Sequence, residues 1–166
     1  MKRIIIHWTA GGYFPAAEEK MRYHFLVDKA GKVHKGNFRP EDNEICKSGR
    51  YAAHTGGGNT GSVGVAVCAM AGFKNRNHVG HYPVVLEQFE AAMKLCAELC
   101  VKYKIDVMSD TVMTHYEFGL KNPKTSSAGK IDIIFIPPYS WISQQEAGGF
   151  IRSKIKWYIQ KLRGEN

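Results

Sequence analysis

Met1-Lys-Arg-Ile-Ile-Ile-His7 opens the chain, and its reading decides the fold. A basic start followed by apolar residues superficially resembles a secretion signal. Three isoleucines before a histidine fall well short of the ~7–15 apolar residues of a signal core, and no small-residue cleavage site follows. Lys2–His7 reads instead as a short β-branched strand, buried and ending in a histidine. No apolar run approaches the ~20 residues that span a bilayer. A protein without a signal peptide or membrane span, starting in a cytoplasm, is expected.

Outward from that strand, Thr9–Phe14 is a glycine-containing loop and Ala16–Arg22 a short helix. Tyr23–Val27 and Lys32–Lys35 flank Asp28-Lys-Ala-Gly31 and read as a hairpin, with Gly31 supplying the positive φ of the turn. A polar stretch runs from Asn37 to Thr60 and ends in the flexible Gly56-Gly-Gly58, and Ser62–Ala69 has the small and β-branched residues of a central strand. The clearest helix runs from Pro83 to about Lys104. Val85, Phe89, Ala92, Cys96, Leu99 and Tyr103 form one stripe along it, and proline suits a first helical turn. Asp110–Thr114 reads as a strand delivering His115, Glu117–Lys130 as loop, and Ile131–Ile136 as an apolar run stopped by Pro137-Pro138. Ser143-x-x-Glu146 has the pattern of a capping box for a last helix reaching Leu162. Gly148 and Gly149 weaken its first turns and argue for a later start.

Strands interleaved with helices over 166 residues, without repeats or a linker, predict one α/β domain spanning 1–166. Its mixed central sheet would be flanked by helices. Cys96 and Cys100 share a helix face, while Cys46 and Cys68 stand alone, so buried reduced thiols are expected rather than disulfides. A net charge of +8 implies an anionic partner or a soluble surface. The basic residues are dispersed and no nucleic-acid-binding motif accompanies them, so nucleic acid is not the expected partner.

Seven histidines remain to be sorted. His7 and His115 each end a strand, where a scaffold can fix the ring while it projects into a cleft. Taken singly, each reads as a hydrogen-bonded, partly buried residue. Joined by Asp132 of Gly129-Lys-Ile-Asp132, they make two imidazoles and one carboxylate with a fourth position open, the donor set of a catalytic zinc. A structural zinc would use four protein ligands, usually including thiolates, and no such cysteine grouping exists.

Six segments occur in order: Ile5-Ile-His-Trp-Thr9, Tyr23-His-Phe-Leu-Val27 with Gly31, Ala53-His-Thr-Gly56, Asn59-Thr-Gly-Ser-Val-Gly64, Thr114-His-Tyr-Glu117 and Gly129-Lys-Ile-Asp132. The series resembles the type-2 N-acetylmuramoyl-L-alanine amidases, the superfamily of phage amidases and peptidoglycan recognition proteins. It covers about residues 3–138; each segment is weak alone and the ordered set is specific. The resemblance implies an amidase-like domain with one zinc ion per chain, held by His7 and His115. Asp132 would be the third ligand, and Lys130, two residues before it, a catalytic lysine. The segment Tyr116–Gly129 is longer than in compact members.

The chemistry suits these residue types. Zinc lowers the pKa of bound water to ~7 and polarises a carbonyl, while the Lys130 ammonium can face the developing oxyanion or stand in solvent. Tyr23 aligns with a tyrosine beside the metal-bound water, and is otherwise a core aromatic. His54 aligns with a cleft histidine contacting substrate, and is otherwise packed beneath the glycines. Glu117 is either a partner within the site or the cap of a short helix. His24 points away from Tyr23 and reads as structural, His34, His78 and His81 as surface or loop, and Asn59, Ser62 and Gly64 as scaffold. The implied reaction is hydrolysis of the amide between N-acetylmuramic acid and L-alanine of the stem peptide in bacterial peptidoglycan. A monomeric phage or prophage endolysin, held in the host cytoplasm until release to the wall, is expected. A non-catalytic peptidoglycan-binding module and a cytosolic amidase recycling anhydromuropeptides are the alternatives.

Overall fold

The computed structural model describes residues 1–47 and 49–165. Its strands are β1 (Arg3–Trp8), β2 (Phe25–Val27), β3 (Val33–Lys35), β4 (Ser62–Val67) and β5 (Val112–Thr114). Its helices are α1 (Ala17–Arg22), α2 (Leu86–Tyr103), α3 (His115–Lys121) and α4 (Ala147–Leu162), with 3-10 turns at Pro40–Asn43 and Pro137–Tyr139. The strands form one mixed sheet in the order β3-β2-β4-β1-β5. β1 runs parallel to β4, from Arg3 opposite Ser62 to Trp8 opposite Val67, and parallel to β5 on its other edge. β2 is parallel to β4 and antiparallel to β3, so the predicted hairpin and the central place of β4 are both present.

The twofold alternation of β1 divides the molecule. Ile4, Ile6 and Trp8 join Val63, Val65 and Val67 of β4 in the main core, covered by Phe89, Ala92, Cys96 and Leu99 of α2 and by Ile151 and Ile155 of α4. Ile5 points the other way, against Met113 and Phe118, and His7 shares its face. β4 is buried along its whole length, as expected for a strand covered on both sides. Cys68, Cys96 and Cys100 are buried free thiols, and Cys46 is half-buried.

Three local expectations change. Pro83 is not in the first turn of α2: its carbonyl accepts a bond from the Tyr13 hydroxyl, and the helix starts at Leu86 after an extended Val85. The first part of the expected Glu117–Lys130 loop is helical, because Thr114-His-Tyr-Glu117 is itself a capping box. Thr114 Oγ1 accepts from Glu117 N at 3.1 Å and the Glu117 carboxylate from Thr114 N at 3.0 Å. Ser143 and Glu146 do make reciprocal bonds, but these close the turn ahead of α4, which starts at Ala147 and runs through both glycines.

Beneath the sheet, His24 is structural, as expected. Its Nδ1 accepts from Gly64 N at 2.9 Å and its Nε2 donates to Asn43 Oδ1 at 3.0 Å, so the ring is neutral. Burial lowers its pKa to about 4. The unfolded chain therefore takes up this proton first as pH falls. The stabilisation is complete above the unfolded value of ~6.5, and is lost between there and about 4. We expect unfolding free energy to drop by on the order of 3 kcal/mol more in wild type than in His24→Asn over that window. Equal pH slopes in urea titrations of the two would refute this role.

Candidate metal centre and cleft

His7 lies on the face of β1 opposite the main core and is fully buried. β5 is the parallel neighbour of β1, and His115 follows it as the first residue of α3. The two rings therefore approach edge to face with centroids 4.7 Å apart, about one strand spacing. Asp132 arrives from the turn after α3, its Oδ2 3.0 Å from His7 Nδ1 and 3.4 Å from His115 Nδ1. One donor atom from each residue lies within 4.8 Å of the others. The next residue, Ile133, has φ +66° while its side chain is buried in the core. That conformation is strained for a β-branched residue, by about 1–2 kcal/mol, and core packing of Ile133 holds it.

The far side of each imidazole decides which nitrogen faces Asp132. Ser127 Oγ lies 2.8 Å from the Gly56 carbonyl, to which it must donate, and 2.9 Å from His115 Nε2. It therefore accepts the Nε2 proton, leaving His115 Nδ1 with a lone pair. His54 Nε2 donates to the Ser62 carbonyl, so its Nδ1 is an acceptor, 3.2 Å from His7 Nε2. Thr55 Oγ1 braces the same junction, 2.8 Å from His54 Nδ1 and 3.3 Å from His7 Nε2. Two imidazole lone pairs and a carboxylate thus converge, and acceptors facing one another require a cation between them. Metal-ligating histidines are oriented in this manner, with the second ring nitrogen donating to a fixed partner. The donor set fits a zinc ion.

Burial lowers the pKa of His7, and burial with the neighbouring His7 lowers that of His54 well below the usual value, so both rings are neutral. For Asp132 burial acts to raise the pKa, but its close contacts with the His115 and His7 rings prevail and hold the carboxyl below the usual range. Burial, followed by the Asp132 charge, raises the pKa of Tyr23, so its hydroxyl remains protonated at neutral pH.

His115 and Asp132 line a cleft of about 620 Å³, and His7 is buried behind them. Tyr23 and Lys130 both line it, the Tyr23 ring 5.1 Å from that of His7. Lys130 is exposed and makes no side-chain ion pair among the described residues. His54 also borders the cleft, but both its nitrogens are engaged by protein groups, so it backs His7 instead of offering a free contact to a ligand. Gly64 makes room for this ring: a Cβ there would lie 2.5 Å from His54 Cγ. Of the two readings of Glu117, the structure shows the helix cap. Glu117 is not in this cleft, and its carboxylate caps α3 and pairs with Arg152. His34 pairs with Asp28, and His78 and His81 are exposed. Sequence reasoning missed Ser127, Thr55 and the cleft residue Arg22. Thr55 follows His54 in Ala53-His-Thr-Gly56, whereas nothing local marks Ser127 within its polar loop.

Fold and site together define a mixed α/β domain with a buried His–His–carboxylate centre open to a cleft. Residues 1–130 match the sequence profile of N-acetylmuramoyl-L-alanine amidases, and the chain belongs to that family. The match ends at Lys130, and Asp132, two residues beyond it, stands with His7 and His115 in the structure. Among solved structures, a mutant of PlyL is 20% identical with a TM-score of 0.53, covering 93% of this chain and 84% of that one. The amidase LysC from Clostridium intestinale is 16% identical with a TM-score of 0.50, covering 75% of each chain. AmiD from E. coli, in complex with anhydro-N-acetylmuramic acid-L-Ala-D-gamma-Glu-L-Lys, is 19% identical with a TM-score of 0.50, covering 69% of this chain and 48% of that one. At these identities the likeness is one of fold. A comparison with curated protein sequences finds no match.

Ser127→Ala removes the acceptor that fixes the His115 tautomer and leaves the fold's core intact. We expect zinc affinity to fall ~10–100-fold, read by competition with a chromophoric chelator. Unchanged affinity would show that Ser127 does not orient the ligand.

Proposed function

We propose that this protein is a zinc-dependent peptidoglycan amidase that hydrolyses the bond between N-acetylmuramic acid and L-alanine of the stem peptide. The observation that carries the proposal is the convergence of two imidazole nitrogens and the Asp132 carboxylate beside an open cleft. His7, His115 and Asp132 would hold the ion. When bound, zinc supplies a Lewis acid that acidifies water and polarises the scissile carbonyl. The substrate class follows the family and its AmiD relative, solved with an anhydromuropeptide. On the same reading the protein is a monomeric phage or prophage lysin, cytoplasmic until it reaches the wall.

This chain's own residues have distinct tasks. Asp132 stays ionised, so it holds a positive charge in the site. Tyr23 stays protonated beside His7, placing a hydrogen-bond donor in the cleft. Lys130 presents an ammonium on the segment that carries Asp132, where it can stabilise an oxyanion.

The decisive experiment digests purified sacculi with and without a chelator and identifies the new ends by mass spectrometry. Expected are L-alanine amino ends on stem peptides and intact lactyl carboxyls, abolished by the chelator and by His7→Ala. New reducing sugar ends, or full activity from metal-free protein, would rule the reading out.

If Lys130 stabilises charge that appears only in the transition state, Lys130→Ala should keep zinc and substrate affinity while kcat falls ~10²–10³-fold. Lys130→Arg should recover only part of it, since a planar guanidinium does not replace a compact ammonium. A near-normal kcat in zinc-loaded Lys130→Ala would remove it from the reaction.

A further inference from the structure

His115 sits at the junction of β5 and α3, and that junction is clamped from outside the site. Glu117 accepts from the backbone of Thr114, the residue before His115, at 3.0 Å. Arg152 of α4 grips the same carboxylate with both arms, Nη1 to Oε2 at 3.0 Å and Nη2 to Oε1 at 2.9 Å. Nη1 also donates to the Val112 carbonyl in β5 at 3.0 Å. The guanidinium therefore ties together the strand before His115 and the helix that His115 begins. Gly148, one turn earlier in α4, leaves the space that this carboxylate fills; a Cβ there would collide with Glu117 Oε1. Ile151 and Ile155, on either side of Arg152, are buried in the core and fix the helix in place.

We propose that Glu117 and Arg152 are positioning residues for the metal ligand His115, so that metal affinity depends on the C-terminal helix α4. The inference rests on the metal-site reading above and adds to it a region beyond residues 1–130. Its physical basis is where the ordering cost falls. A clamped junction presents the His115 nitrogen before the ion arrives, whereas a loosened one must be ordered on binding, and the ordering weakens affinity. Arginine suits this task because its rigid fork meets both carboxylate oxygens and still reaches a carbonyl, a geometry that lysine's point charge cannot reproduce.

The same helix supplies a control. Lys154 pairs with Glu90 of α2 at 2.7 Å, and this pair is only slightly less sheltered than the first: side-chain exposures are 25% and 22%, against 16% and 22% for Arg152 and Glu117. It joins α4 to α2 on the helical side of the sheet and touches neither β5 nor α3.

The experiment measures zinc affinity of the full chain by chelator competition, with cobalt absorption spectra reporting the ligand geometry and urea titration reporting stability. Wild type is measured first; a chain that binds no zinc overturns the metal-site reading itself. Given binding, Arg152→Ala should weaken zinc by ~10–100-fold and alter the cobalt spectrum. Arg152→Lys should give partial recovery, and Lys154→Ala should stay within about twofold of wild type at a similar loss of stability. If Arg152→Ala fails to fold, Glu117→Gln keeps a cap acceptor, loses the charged clamp, and should shift affinity in the same direction. Wild-type affinity in both Arg152→Lys and Glu117→Gln would overturn the proposal. Equal losses in Arg152→Ala and Lys154→Ala would also do so, because affinity would then merely follow stability.

Discussion

A carboxylate buried against two imidazoles is the contact around which the rest of this molecule is arranged. Removing an ion from water costs several kcal/mol, even after the protein relaxes, so Asp132 persists as an anion only where positive charge or donated protons meet it. The far nitrogens of both rings are occupied, His115 by Ser127 and His7 by the His54–Thr55 pair, and this turns the remaining lone pairs inward. Parallel pairing then does the coarse placement. β1 and β5 are adjacent, so His7 and His115 begin one strand spacing apart, and only the third group has to be brought in by a loop.

That loop carries the cost of the arrangement. Ile133 adopts a left-handed backbone that few β-branched residues tolerate, yet its side chain is packed in the main core. Burial of such a side chain is worth about 1.5–3 kcal/mol, enough to offset the strain. The two faces of the sheet thus divide the work. The face under α2 and α4 is apolar and supplies stability, whereas the opposite face holds Ile5, His7, Gly64, Tyr23 and Leu26 and shapes the cleft. Arg152 is notable because it crosses this division, linking a stability helix to the neighbourhood of His115.

What the sequence made legible was what depends on neighbours in the chain. The alternation in β1, the Gly31 hairpin and the α2 stripe are period and turn signals, and they appear in the structure as strand, hairpin and helix. The Thr114-x-x-Glu117 box was equally visible, but its local pattern left two readings of the glutamate open, and only the fold shows it to be the cap. Gly148 misled for a related reason. Propensity counts glycine against a helix start, but a close approach by the Glu117 carboxylate requires it there. The partners that set histidine tautomers were not legible, because Ser127 works by joining Gly56, seventy-one positions away, to His115. Such choices depend on which acceptors meet in space, and no local pattern records them.

The charges lining the cleft extend the same logic outward. Asp132 is its one acidic residue among those described, and its oxygen is turned to the imidazoles; the other charged side chains there are Arg22 and Lys130. A ligand entering the cleft meets two cations, a protonated phenol and no free carboxylate. That potential favours a substrate bearing carboxylates, as stem peptides do, and it favours negative charge appearing on a carbonyl oxygen more than it favours the neutral amide. A surface of net charge +8 adds attraction at long range, but salt screens it within about 10 Å at 0.1 M. The cations within the cleft are less screened. Discrimination between ground state and transition state must therefore come from those few side chains, and overall basicity governs how often a wall fragment arrives.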